Sequence, residues 1–183
     1  NGDTEKTLAN KVRLATILGT IQSTLSDFKF LSSEWKQNTE EERLLGVSMT
    51  GIMDNALTNG KKKGLEDLLD RLRQVAIDTN QYWAKKLGIP QSAAITCVKP
   101  SGTVSQLVDS ASGIHARHNP YYIRTVRADK KDPLAKMMFD AGFPVEDDVT
   151  KPEHTYVFSF PVKGPKNGVY RRDMNAIEQL ELW

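Results

Sequence analysis

The residues with the clearest chemical potential form one stretch, Lys99-Pro100-Ser101-Gly102-Thr103-Val104-Ser105. A β-prone run at 93–98 precedes it and a helical pattern follows, so it reads as a strand-to-helix turn. In such a turn the first N–H groups of the helix have no intrahelical acceptor, and the aligned peptide dipoles place about half a positive charge there. Gly102 lets a ligand approach the backbone, while Ser101, Thr103 and Ser105 add hydroxyl donors. The chemistry on offer is a seat for a phosphate, spread over Pro100, Ser101, Gly102, Thr103, Val104 and Ser105. The pattern differs from the common phosphate loop of nucleotide hydrolases, which places Lys directly after its last Gly; here Lys99 comes first, and only one Gly is present. The same residues also suit an ordinary capped helix, and local physics leaves both readings open.

A second constellation is Ser112-Gly113-Ile114-His115-Ala116-Arg117-His118-Asn119-Pro120-Tyr121-Tyr122-Ile123-Arg124. A metal site needs a third and usually a fourth ligand, and His115 and His118 have none nearby in sequence. His115, Arg117, His118, Tyr121, Tyr122 and Arg124 mix cationic and aromatic groups at a loop-to-strand junction, which fits a polar wall contacting a nucleotide or cofactor. The alternative is a surface loop of paired charges. Tyr121 and Tyr122 are neighbours in a strand and point to opposite faces, which disfavours a stacked pair and favours one in the core and one toward solvent or ligand. Cys97, within an apolar run and without a local base, reads as a buried packing residue. Lys61, Lys62 and Lys63, in a Gly-bounded turn, read as an exposed loop.

Several elements must position these groups. An apolar series at Leu8, Val12, Ala15, Leu18, Ile21 and Leu25 predicts an amphipathic helix over residues 4–26. A short apolar run at 43–51 suits a buried strand. Leu68, Leu69, Leu72, Val75, Ala76, Tyr82 and Trp83 predict a helix that begins at Leu65 and stops at Gly88-Ile89-Pro90. Strands follow at 121–127 and 155–162. Asp132-Pro133 opens a short helix between them, and Asp173 is expected to cap a final one. Strands alternating with helices imply an α/β architecture with a largely parallel sheet.

Composition bounds the rest. With 183 residues, 25 Lys+Arg, 23 Asp+Glu and a formal charge of +2, the chain has no general reason to bind nucleic acid, so any anion site is local. No apolar run approaches the ~20 residues that span a bilayer. One cysteine and no recognisable leader point to a reducing, cytoplasmic setting. The chain begins at a helix with no strand in front and stops within a helical pattern without Gly, Asn or Pro to end it, so residues 1–183 read as a piece of one larger catalytic domain, cut at both ends.

The order of motifs is more specific than any one of them. Glu41-Glu42-Arg43-Leu44-Leu45-Gly46-Val47-Ser48-Met49-Thr50-Gly51-Ile52-Met53-Asp54, then Val98-Lys99-Pro100-Ser101-Gly102-Thr103-Val104-Ser105, then Ser112-Gly113-Ile114-His115 with Arg117-His118 and Tyr121-Tyr122-Ile123-Arg124, resembles the C-terminal half of the catalytic barrel of adenosylcobalamin-dependent (class II) ribonucleotide reductase. The likeness continues through Asp132-Pro133-Leu134, residues 158–165 and Ala176-Ile177-Glu178-Gln179.

The resemblance implies a ten-stranded α/β barrel of which this chain supplies much of the second half. It implies an oxidoreductase that replaces a ribonucleotide's 2′-hydroxyl by hydrogen through a thiyl radical, with adenosylcobalamin as cofactor and a thioredoxin-like protein as reductant. It assigns the turn at 100–105 to the substrate's phosphates and no protein histidine to the cobalt. The family's radical Cys, its partner carboxylate and its redox Cys pair match nothing here, so the chain alone is expected to be inactive, with no catalytic residue of its own. Two alternatives stand beside this reading: the iron-dependent class of the same enzyme, and a non-catalytic nucleotide-binding module.

Overall fold

The computed structural model describes residues 2–99 and 101–183. The chain divides into two compact units, Asn1–Arg117 with Asn167–Trp183, and His118–Lys166.

In the first unit, α1 (Glu5–Gln22) is opened by a reciprocal cap in which Thr4 and Thr7 exchange backbone-to-side-chain hydrogen bonds. It packs on α3 (Leu65–Leu87), where Leu68, Leu72 and Ala76 are buried as their spacing predicts. The face that α1 buries is not the one expected. Leu18 and Leu25 are 69% and 74% exposed, whereas Thr16 and Thr20 are fully buried. Both threonines donate their hydroxyls to carbonyls one turn back, Val12 and Thr16, at 2.8 Å, so they enter the interface without an unsatisfied group. Asn80 on α3 then reaches Thr20 at 3.0 Å. Gly88 ends α3 in the left-handed region, as the sequence indicates. Between these helices lies α2 (Ser33–Glu42), which buries nothing.

The runs at 43–51 and 93–98 do meet in parallel, but only as an isolated bridge between Val47 and Thr96, framed by Val47 N–H to Ile95 O (2.9 Å) and Cys97 N–H to Val47 O (3.0 Å). A second parallel bridge joins Arg117 to Tyr170. A small core of Met53, Ala111 and Val169 lies beside it, backed by Ile114, Ala116 and Met174. The last helix, α6 (Ala176–Leu182), is capped by Asn175 rather than Asp173. The Asn175 side chain accepts from the N–H groups of Ile177 and Glu178, while Asp173 accepts from Tyr170 N–H.

The second unit is a three-stranded sheet in the order β1 (Tyr121–Asp129), β3 (Thr155–Lys163), β2 (Val145–Asp147). Both pairings are antiparallel, with Tyr121 opposite Lys163 and Val145 opposite Phe158. This corrects the expected parallel sheet: among the described residues parallel pairing is confined to the two bridges. α3 supplies the long crossover that the parallel Val47–Thr96 bridge needs, and β2 and β3 are joined locally and turn back on each other, whereas β1 and β3 pair antiparallel although residues 130–154 separate them. A short helix, α5 (Pro133–Asp140), is capped by Asp132 as predicted. Phe139 stacks on Tyr156 at 5.0 Å, Tyr156 meets Phe158 edge-on at 5.9 Å, and Phe158 is 2% exposed.

Candidate functional site

The phosphate-seat residues occupy a bend leading into α4 (Val104–Leu107), a single helical turn. Pro100 lies outside the described residues. Gly102, Thr103 and Val104 are exposed, and a Cβ built on Gly102 meets nothing within 4 Å. Gly102 therefore leaves its backbone face open to solvent. Among the described residues no backbone carbonyl takes the N–H groups of Gly102, Thr103, Val104 or Ser105; the ladder begins with Gln106 N–H to Thr103 O at 3.0 Å.

One expectation about the hydroxyls needs correction, at Ser105. Ser105 is fully buried and its hydroxyl donates to Ser101 O at 2.6 Å, so it braces the bend instead of facing a ligand. Thr103 occupies the cap position without a side-chain cap bond, which leaves its hydroxyl outside the helix ladder.

A polar scaffold holds the bend from below. Ser112 also donates its hydroxyl to Ser101 O, and Thr50 Oγ1 lies 3.1 Å from Ser101 Oγ. Thr50 Oγ1 is in turn 3.0 Å from Ala111 O and accepts from Gly113 N–H at 3.1 Å. Gly51 N–H donates to Ala111 O at 2.8 Å, and the Asp54 carboxylate accepts from Ala111 N–H at 2.7 Å. Gly51 has φ +73°, and a Cβ there would lie 2.8 Å from Ser110 Cβ, so only glycine fits. Segments 50–54 and 110–113 are thus clamped together beneath Ser101.

Arg117 belongs to this scaffold and not to an exposed wall. Its guanidinium meets Asp54 through Nε at 3.0 Å and Nη2 at 3.0 Å and also donates to Asp109 O at 2.7 Å; the Arg117 and Asp54 side chains are 3% and 1% exposed. A charge pair so dry is satisfied by geometry of this kind, and Arg117 is not free to meet a ligand. His115 is exposed beside Gln179, at 3.0 Å through Nδ1. The remaining wall residues fall in the other unit: His118 is edge-on to Tyr122 at 6.1 Å, Tyr121 is 70% exposed under the Lys163 ammonium, and Arg124 lies on β1 opposite Phe160. The two tyrosines take opposite faces of β1, Tyr122 half-buried and Tyr121 exposed. The six proposed wall residues are thereby divided between two units.

Cys97 is exposed rather than packed, which corrects the expectation of a buried thiol. Its short extended segment is bridged to Val47 on one side only, so no second layer covers it. The lysines at 61–63 are exposed, as read from the sequence. Sequence reasoning missed Thr50, Asp54 and Ser112 as supports of the bend. The available signal was their position inside the quoted motifs, but nothing in the spacing shows that Thr50 and Asp54 are hydrogen-bonded to residues more than fifty positions away or that Ser112 reaches back to Ser101.

The chain was compared with known proteins. No family model matches it. Among curated proteins it is 32% identical over 158 residues to an adenosylcobalamin-dependent ribonucleoside-triphosphate reductase of Euglena gracilis, covering 83% of this chain and 21% of that protein. It is 30% identical over 161 residues to the enzyme of the same name from Lactobacillus delbrueckii subsp. bulgaricus, covering 73% of this chain and 22% of the relative. Among solved structures, a B12-dependent (class II) ribonucleotide reductase superposes with a TM-score of 0.70 at 23% identity, over 87% of this chain and 26% of that one. The last comparison shows a shared fold, and the chain spans about a fifth of the curated relatives it matches. Over the residues that it spans, the chain belongs to the family of adenosylcobalamin-dependent ribonucleotide reductases.

Proposed function

We propose that this chain is part of an enzyme that reduces ribonucleoside triphosphates or diphosphates to deoxyribonucleotides, and that its own contribution is the seat for the substrate's phosphates at Ser101, Gly102, Thr103 and Val104. The observation that carries this is the exposed bend at Gly102, with amides that lack carbonyl partners among the described residues, on a rigid polar scaffold. Fixed N–H groups of this kind position an anion and neutralise its charge without reorganising. Ser105 is assigned a bracing role. In the same reading the chain forms part of a ten-stranded barrel, works in the cytoplasm, and receives electrons from a thioredoxin-like protein.

Adenosylcobalamin is the cofactor in the relatives' names, and when bound it would supply the radical. The cleft between α1 and residues 47–55 measures about 530 Å³ and is lined by Lys11, Val12, Met49 and Asp54 among others, a size suited to a nucleotide. Among the described residues no three His, Cys, Asp or Glu side chains gather to hold a metal ion. No step of the proposal runs through the cofactor. Nor is a catalytic role given to Cys97, since a thiyl mechanism needs a radical Cys and a dithiol, and this chain has one Cys.

The test is Gly102→Val in the intact enzyme. The built Cβ has open space, so folding should be unaffected, while the isopropyl group blocks the backbone face. The KM for ribonucleotide should rise by roughly tenfold or more, corresponding to loss of a charge-assisted contact. An unchanged KM rejects the seat. Dependence of activity on adenosylcobalamin, without a metal-bearing second subunit, separates this reading from the iron-dependent class.

A further inference from the structure

The Thr50 hydroxyl is the junction of the scaffold, and it has one proton to give and two oxygens within reach. Ala111 O is 3.0 Å away and Ser101 Oγ 3.1 Å away. Gly113 N–H occupies one of its lone pairs at 3.1 Å, which fixes the oxygen in place. Two proton arrangements follow. In one, Thr50 donates to Ala111 O and Ser101 donates its own proton back to Thr50, so that Ser101 presents only lone pairs outward. In the other, Thr50 donates to Ser101 Oγ and the Ser101 O–H is released toward the open side of the bend. The second arrangement strands no acceptor, because Ala111 O keeps the Gly51 N–H at 2.8 Å. An anion above Gly102 favours it, since only then does Ser101 offer a donor.

We propose that Thr50 is a positioning residue whose hydroxyl turns the Ser101 O–H toward the bound phosphate, acting through Ser101 and never touching the ligand. This rests on the reading of the bend as a phosphate seat. It also gives a physical reason for a hydroxyl at Thr50, half-buried beneath the turn, where valine would fill the same volume.

The experiment measures binding of inorganic tripolyphosphate to the intact protein by calorimetry for wild type, Thr50→Val, Thr50→Ser, Ser101→Ala and Gly102→Val, with a thermal melt for each. Thr50→Val should weaken binding roughly 5–10-fold, Thr50→Ser should restore it to within about twofold, and Ser101→Ala should lose as much as Thr50→Val. The Thr50→Val/Ser101→Ala double variant should be no weaker than either single, since both break one chain of hydrogen bonds. If Gly102→Val binds like wild type, the seat itself is rejected and this inference goes with it. If Gly102→Val loses binding while Thr50→Val does not, or if Thr50→Ser fails to restore it, the seat stands and the role of Thr50 is overturned. Should Thr50→Val fail to fold, Ser101→Ala decides: binding equal to wild type overturns the proposal.

Discussion

Arg117 and Arg127 occupy neighbouring stretches of chain, and each pairs with an aspartate, yet the two pairs hold their surroundings in different ways. Arg117 and Asp54 are 3% and 1% exposed and sit at the centre of a scaffold gathered from residues 50–54, 101–105 and 109–117. Arg127 is 67% exposed and reaches a buried Asp148 at 2.6 Å on the edge of the antiparallel sheet. Around the first pair the apolar core is small, and order comes from polar bonds between distant residues. Around the second, order comes from the β1–β3 ladder and a run of aromatic contacts, with the ion pair added outside. The difference shows where precision is needed. A bend that aims single N–H and O–H groups requires directional bonds beneath it, whereas a sheet is fixed by burial and register.

The largest test of this contrast is Asp54→Ala. It leaves Arg117 buried without its main partner, and we expect a loss of about 3–5 kcal/mol in denaturant unfolding. Amide exchange at Gly51, Ala111 and Gly113 should accelerate while β1 stays protected. Phe158→Ala should do the converse, costing about 3 kcal/mol and releasing β1 and β3 amides first. If either variant opens both regions equally, the contrast fails.

Two glycines sharpen it further. Gly51→Ala forces a side chain into Ser110 at a positive φ and should cost about 1–3 kcal/mol, whereas Gly102→Ala, with open space around it, should change stability by less than about 0.5 kcal/mol. Equal effects would mean that Gly102 is there for the fold and not for a ligand.

The smallest effect concerns acid. The Asp148 carboxyl is held well below the usual carboxylate range by the Thr150 hydroxyl first, then by Arg127 and the N–H groups of Thr150 and Lys151. Its contribution to stability is therefore present above the unfolded value of 3.8 and drains away as pH falls from there toward its lower folded value. Wild type should lose stability more steeply than Asp148→Asn below about pH 4, as followed by circular dichroism. Identical slopes would remove Asp148 from the sheet's acid response.

The legible parts of this molecule are those whose cause is local. The periodicity of α3, its stop at Gly88, the Asp132-Pro133 start of α5 and the strands at 121–127 and 155–162 are each set within a few residues, and the structure agrees. The bend at Ser101-Gly102-Thr103 was legible for the same reason. What misled was inference across distance: the face α1 buries, the fate of Ser105, the burial of Arg117 and the exposure of Cys97 all depend on which segment lies alongside.

The sequence by itself determined α1, α3, α5, the extended runs of β1 and β3 and a turn ahead of α4, because backbone conformation and capping follow from neighbours in the chain; it signalled neither α2 nor the antiparallel pairing. Only the tertiary structure decided that Thr50, Asp54 and Ser112 carry that turn, and that Arg117 is buried in the scaffold under it instead of facing a ligand. Hydrogen bonds and ion pairs between residues fifty or more apart leave no periodic trace along the chain; they exist only once the intervening helix has brought the segments together.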